Sequence, residues 1–403
     1  MADPPLPPAD TDPLRAALIA WQGLRWQPQT LPAVRRLLAR PPFAAAKGGR
    51  DPLVWQALYD LAEQERVAGL LYDAARSHAL CPPAIQRRLH DFAAYTAVQN
   101  RMRLAALGDA LDDLAAAGVP AILLKGAALL EAFYSHPPLR PMVDLDLLVR
   151  KADAATALAQ LTAAGYRAVD LGPHAHSTLT FENEILLIGP GPQAAMLEVH
   201  WSLFDSPHHQ ARIPEAWLWQ SARPLHAAGR PALILGDEAQ LLHLCGHLAL
   251  HHAGQPDLLW LHDVAEVLHH VHRRIDWDLT LAQAQACDLS LSLRQTLLQV
   301  VALWSAPAPA WVLDRLAALP ASAAEERLIT ARARGPQPVR QRFWADLQAQ
   351  PGWKARIGYA WQHLFPAPAY MRRRYQIRHP ALLPLAYPYR WGVGLFCRIR
   401  VTR

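Results

Sequence analysis

Lysine is nearly missing from this chain. Lys47, Lys125, Lys151 and Lys354 are the only ones among 403 residues, so the formal charge of +6 rests on arginine. Arginine in place of lysine most often follows the base composition of a genome, and no continuous basic stripe tracks through the sequence as phosphate-backbone binding requires. Both points weigh against a nucleic-acid partner. Cysteine is scarce too: Cys81, Cys245, Cys287 and Cys397 stand far apart without a Cys-x-x-Cys pair, which excludes a zinc ribbon and a disulfide framework. No uncharged apolar run reaches the roughly 18 residues of a membrane-spanning helix. The opening Met-Ala-Asp-Pro-Pro-Leu-Pro-Pro lacks the basic and apolar regions of a signal peptide, so a cytoplasmic location is expected.

What the chain does have is a large apolar fraction, 52%, enough for two or three domains or one large globule. Residues 1–12 read as a proline-rich, disordered leader. Asp12-Pro13 and Asp51-Pro52 place an N-cap before a proline at the first helical position, and predict helices from 13 and over 53–76. A third helix is expected from Pro83 to about Ala117, closed by Gly118-Val-Pro120. Residues 13–118 are therefore an N-terminal helical region, whose sequence names no chemistry.

From residue 119 the periodicity becomes strand-like. Ile122-Leu-Leu-Lys-Gly126 reads as a strand stopped by glycine, a helical segment 127–134 follows, and Arg140-Pro-Met-Val-Asp-Leu-Asp-Leu-Leu-Val149 reads as a second strand. Alternation puts Asp144 and Asp146 on one of its faces and Val143, Leu145 and Leu147 on the other. Two buried carboxylates on one face repel and lose hydration, and are tolerated chiefly around a cation; oxygen ligands point to Mg²⁺. Met196-Leu-Glu-Val-His-Trp201 supplies a third carboxylate, Glu198, on the face that also carries His200. A helix over 151–164, a hairpin of 178–181 with 184–188 around Asn183, and a turn at 189–192 complete a mixed sheet of four or five strands. Residues 202–230, with His208 and His209, read as a loop bordering the site. The core thus runs 119–235.

This ordered set resembles the uncharacterised bacterial nucleotidyltransferase family (NTP_transf_5-like), within the superfamily of polymerase-beta-like and minimal nucleotidyltransferases. The residues that carry the likeness are Leu-Leu-Lys-Gly-Ala, Tyr134, the Arg140–Val149 run, Gly165-Tyr166 and Glu-Val-His-Trp, and it extends from about Val119 to Trp277. The resemblance implies an α/β (α+β) nucleotidyltransferase core flanked by helical regions. It also implies Mg²⁺ on Asp144, Asp146 and Glu198, and transfer of a nucleoside monophosphate from ATP or another nucleoside triphosphate to a small-molecule, glycan or peptide acceptor. Glu198 would complete the metal's shell or act as base, and Gly126 would let the backbone approach the phosphates. One departure stands out: the superfamily has Gly-Ser or Gly-Gly at the turn, whereas this chain has Gly126-Ala127. With the hydroxyl gone, backbone amides at the helix start and the charges of Lys125 and Arg140 are the phosphate-binding candidates. The same departure keeps open a non-enzymatic alternative, a nucleotidyltransferase fold that binds without turnover. Replacing Asp144 or Asp146 by Asn is expected to leave the fold intact or slightly more stable.

Residues 236–305 form a helical region that completes the site, with Asp237 as a cap. His243, His247 and His251 fall four apart on one stripe. That spacing can chelate zinc, with Asp263 as the acid within reach; the other reading is a polar face toward the cleft, where His200, His247, His251 and Asp263 shape the acceptor site. Another helix is expected over 279–304. Residues 306–403 read as short helices ending in a basic, aromatic tail: Tyr370, Arg372-Arg-Arg374, Tyr375, Tyr387, Tyr389, Arg390 and Trp391. It suits a face packed on the main body, a peripheral membrane contact or a nucleic-acid patch.

Overall fold

Prolines start three of the N-terminal helices, at Pro13, Pro52 and Pro83, and left-handed residues follow two of them, at Arg66 and Gly118, in a computed structural model that describes residues 12–38, 52–78, 81–169, 178–191, 194–252, 256–335, 339–350 and 352–396. The expected leader lies, except for residue 12, outside the described residues. Helix α1 (Pro13–Gly23) has proline in its first turn, and Asp12 accepts from the Leu14 amide at 3.4 Å. After α2 (Leu31–Leu38), the single helix expected over 53–76 is two, α3 (Pro52–Gln64) and α4 (Ala68–His78), parted at Arg66 with φ 62°. The break aims Glu65 at the amide of Leu258, 2.7 Å away. Helix α5 (Pro83–Ala116) ends at Gly118, φ 68°, where a glycine is needed.

The core follows in chain order: β1 (Ile122–Leu124), α6 (Lys125–Ala132), β2 (Leu145–Leu148), α7 (Ala154–Ala163), β3 (Arg167–Ala168), α8 (Thr178–Phe181), β4 (Glu184–Ile188), β5 (Met196–His200), α9 (Pro207–Gln210), α10 (Glu215–Ser221), β6 (Arg223–Ala227) and β7 (Arg230–Ile234). The strands form one mixed sheet ordered β3-β4-β5-β2-β1-β7-β6. Seven strands replace the expected four or five. The extra hairpin, β6–β7, lies largely in a segment read as loop, because Pro224 and Pro231 mask its alternation; Pro224 sits on the edge strand β6, and Pro231 precedes the part of β7 that pairs with β1. Thr178–Phe181, expected as a strand, is a single helical turn.

Helices α11 (Asp237–His251), α12 (Leu258–Val271), α13 (Trp277–Ala286) and α14 (Ser290–Trp304) follow, the last two divided at Asp288, φ 60°, where one helix was expected. Asp237 does not cap α11: Gly236 holds the cap position, and the Asp237 carboxylate pairs with Arg223 and Arg274. The chain continues through α15 (Ala310–Ala318), α16 (Ala323–Ala333), α17 (Val339–Ala349), α18 (Gly352–Leu364), α19 (Pro368–Arg374) and α20 (Leu383–Phe396).

Two side chains set the approach to β2. From α5, Asn100 donates to the carbonyls of Pro137 and Arg140 at 2.7 and 2.9 Å and accepts from the Met142 amide at 3.2 Å. From α12, Asp263 takes the Arg140 guanidinium in a fork of 2.8–3.2 Å and the Tyr134 hydroxyl at 2.7 Å. Three residues on, Glu266 accepts from Arg25 at 2.6–3.1 Å and from the Trp26 indole at 3.0 Å. One face of α12 thereby ties the N-terminal helices to the loop that leads into β2. Asp263→Asn should leave a buried guanidinium uncompensated and lower unfolding free energy by about 3–5 kcal/mol in urea titration. The double variant Arg140→Met, Asp263→Leu should recover most of that loss.

Candidate active site

Strand register brings the acidic groups together. In the parallel pair β2–β5, Asp146 lies opposite Glu198 and Leu148 opposite His200; in the antiparallel pair β4–β5, Glu184 lies opposite His200. Cross-strand partners share a face, so Asp146, Glu198, His200 and Glu184 all rise on one side of the sheet. Leu145, Leu147, Leu197 and Val199 fill the other side and are buried. One ligand atom each from Asp146, Glu198 and His200 lie within 4.8 Å of one another, the one such group of three among the described residues. Asp144 is not in it. The expected alternation needs a strand through 144, but β2 begins at Leu145 and Asp144 sits half-buried in the preceding bend. Burial and the neighbouring charge of Asp146 raise its pKa.

Cations hold the carboxylates together. Lys125 Nζ donates to Asp146 Oδ1 at 2.6 Å and lies 3.5 Å from Glu198 Oε2. Burial disfavours that ammonium, yet the charges of Asp146 and Glu198 outweigh burial and raise its pKa. Lys125 has φ 42°, a left-handed backbone that costs a side-chain-bearing residue on the order of 1–3 kcal/mol and persists where the surroundings over-determine it. His200 Nε2 is 3.0 Å from Asp146 Oδ1, and its Nδ1 is 2.9 Å from Glu184 Oε2, at ion-pair distance but outside good hydrogen-bond geometry. Burial and Lys125 push the imidazole down; bonds to Asp146, Glu184 and Glu198 prevail and lift it to about 10. For Asp146, burial pulls upward, and Lys125 with His200 overcomes it, so the carboxylate titrates far below its ordinary range. Glu184 is likewise held down, to about 2, by His200 against its burial. Glu198 differs: the His200 bond lowers its pKa, but burial and the Asp146 charge raise it more.

A divalent cation fits this set. Asp146, 1% exposed, has an Oδ2 with no hydrogen-bond partner, an oxygen aimed at nothing the protein supplies, beside a second carboxylate and an imidazole. Two carboxylates favour Mg²⁺ or Mn²⁺.

The other sequence-named residues lie nearby in different roles. Arg140, expected at the phosphates, is 4% exposed and bound to Asp263. Gly126 makes room for it, since a Cβ there would lie 2.9 Å from Arg140 Nη1; Ala127 is fully buried behind. Asp263 is therefore no zinc ligand to the histidine stripe, and among the described residues the stripe forms no group of three ligands close enough to hold a metal. His243, His247 and His251 instead run beside the site as neutral rings: burial, then Lys125 and His200, depress His243 to about 3, and His247 and His251 are lowered too. His247 stacks on His251 at 4.9 Å, and His252 on Trp260 at 3.5 Å. Asp205 closes the stripe, 3.8 Å from His251 Nε2 and paired with Arg332 of α16. Glu184 escaped the sequence reading. Only its place opposite His200, two strands joined by register, reveals it.

Two outcomes follow. Because Asp146 answers Lys125 and His200, Asp146→Asn should destabilise the fold by about 3–5 kcal/mol, the reverse of the relief expected from a repelling pair, as thermal melts in chelator would register. Stability in chelator should also peak near pH 6.5. His243, depressed from 6.5 to about 3, contributes stability that is lost as pH falls below 6.5; His200, raised from 6.5 to about 10, contributes stability that is lost as pH rises above it. His243→Gln should flatten the acid limb and His200→Gln the alkaline one.

No curated protein sequence matches this chain. A solved structure, that of an antigenic nucleotidyltransferase-like protein from Paracoccidioides brasiliensis, is similar over 49% of this chain and 94% of its own, at 14% identity and a TM-score of 0.31, too low a score to carry an argument. The family described as uncharacterised nucleotidyltransferase matches residues 51–305, a span that holds Lys125, Asp144, Asp146, Glu198, His200, the histidine stripe and Asp263. The chain belongs to that nucleotidyltransferase family.

Proposed function

We propose that this protein is a Mg²⁺-dependent nucleotidyltransferase that moves a nucleoside monophosphate from a nucleoside triphosphate to a hydroxyl or amine of a small molecule, glycan or peptide. The observation that carries the reading is the pairing of Asp146 with Glu198 across β2–β5, with an unpartnered Asp146 oxygen on the shared face. Asp146 and Glu198 are the residues to hold the metal, with Asp144 from the adjoining bend as a further carboxylate. When bound, the metal offsets charge on the phosphates and lowers the pKa of the acceptor.

The chain's own groups do the rest. Attack of the acceptor on the α-phosphorus forms one bond to phosphorus as the bond to pyrophosphate breaks. Glu198, its pKa raised, is suited to take the acceptor's proton. Lys125, charged and 19% exposed along its side chain, is the cation at hand for the phosphates, and the first amides of α6, at Gly126 and Ala127, add their dipoles. Glu184 and His200 brace Asp146 from behind. The stacked neutral rings of His247, His251, His252 and Trp260 form a wall suited to a nucleobase or a planar acceptor.

A second reading has one observation behind it. The space at Gly126 belongs to Arg140, not to a phosphate, and the turn lacks the superfamily's hydroxyl, as in a fold that binds nucleotide without turnover.

Calorimetric titration with each of the four ribonucleoside triphosphates, with and without Mg²⁺, decides. Metal-dependent binding that disappears in Asp144→Asn, Asp146→Asn supports the site, and pyrophosphate release on adding acceptor pools separates transfer from binding alone. No binding under any condition would overturn both readings. Glu184→Gln, which loosens His200, should weaken metal affinity about 10–100-fold while leaving the melting curve folded.

A further inference from the structure

The protein's positive charge is segregated. Residues 347–403 contain ten Lys and Arg and no Asp or Glu, whereas residues 1–346 hold thirty basic and thirty-four acidic side chains. The entire basic balance of the chain therefore belongs to one region, which no reading of genome composition explains.

That region also exposes apolar surface in an ordered way. On α18, Trp353, Ile357, Trp361 and Leu364 recur at helical spacing and are 68, 58, 60 and 49% exposed. The opposite face of the same helix is the packed one. Tyr359 is buried, 5.5 Å from Phe181 of α8 and 5.8 Å from Phe343 of α17 by ring centroids. Burying one face and exposing two tryptophans, an isoleucine and a leucine on the other is the reverse of what a solvated surface helix does. Helix α20 joins this surface: the Trp391 indole donates to the Leu364 carbonyl at 2.7 Å, and Leu385 and Tyr389 are largely exposed. The same stretch of chain carries Lys354 on α18, Arg372 and Arg374 on α19 and Arg378 after it, all exposed.

Exposed tryptophans and a tyrosine in an apolar surface, in a stretch of chain rich in arginine and free of acid, match the boundary of a bilayer with anionic headgroups. No helix among the described residues is long and apolar enough to cross a membrane, so the surface would lie on the bilayer. We propose that the outer face of α18 and α20 docks the protein on an anionic lipid membrane. Charge complementarity selects this occupant: an apolar protein partner explains the stripe but not a stretch from 347 onward free of acid. The proposal is independent of the chemistry at Asp146.

Flotation of the full chain with vesicles of phosphatidylcholine, alone and mixed with phosphatidylglycerol, tests it. Binding is expected only to the mixed vesicles, falling as salt rises, with a blue shift of tryptophan emission. Trp353→Ser, Trp361→Ser should weaken it at least about tenfold, and Arg372→Gln, Arg374→Gln, Arg378→Gln about a hundredfold, both with unchanged melting temperature. Failure to float with either vesicle overturns the proposal, as does binding that both variants retain. Self-association in light scattering that Trp353→Ser, Trp361→Ser abolishes, without flotation, would instead assign the face to a second copy, and gel retardation of RNA or DNA without flotation would assign it to nucleic acid.

Discussion

Like charges crowd the middle of the sheet, and the balance between them and two cations governs everything built around it. Asp146, Glu198 and Glu184 project from three adjacent strands into a region with little water, where unscreened repulsion would part the strands. Lys125 and His200 reverse the sign. The lysine bridges Asp146 and Glu198, the imidazolium bridges Asp146 and Glu184, and the acidic cluster becomes a cross-strand tie. The arrangement also leaves Asp146 Oδ2 without a protein partner. A site poised for a metal is thus also a folded-state salt-bridge network.

Around that patch the fold spends its other buried charges on rigidity. Arg140 and Asp263, Arg25 and Glu266 are paired in the interior, where an ion pair adds little net stability but is costly to break. Their value is geometric. Asn100, Arg140 and Tyr134 fix the path of the chain between α6 and β2, which decides where Lys125 and Asp146 meet. The left-handed backbone at Lys125 is sustained by the same constraint, with the ammonium held against two carboxylates.

The C-terminal helices obey different physics. Few of their large side chains are buried, and α16, α17 and α18 attach to the rest through particular contacts, Arg332 and Arg342 on Asp205 and Tyr359 on Phe181. What remains outside includes exposed tryptophan, isoleucine and leucine side chains and exposed arginines. Interior packing therefore does not account for this composition, which is the ground of the lipid-docking proposal.

Local pattern named most of the residues that the fold gathers in the candidate site. Period two singled out Asp146, Glu198 and His200, the glycine stop drew attention to Lys125, and Asp12-Pro13 and Pro83 marked where α1 and α5 begin; the change from helical to strand periodicity placed the α/β core. These features depend on side-chain direction along a few residues, which backbone geometry dictates. What the sequence could not hold was decided across distance. Glu184 joins the site only through the register of β4 on β5, Asp144 leaves the strand because α5 and α12 hold the preceding loop, Arg140 turns inward to an acid on a helix far along the chain, and the β6–β7 hairpin pairs despite its prolines. Local spacing determined which residues carry charge on which face. Tertiary packing alone decided which opposite charges they meet, because electrostatic partnership depends on separation in space and burial, and neither is written in the order of the residues.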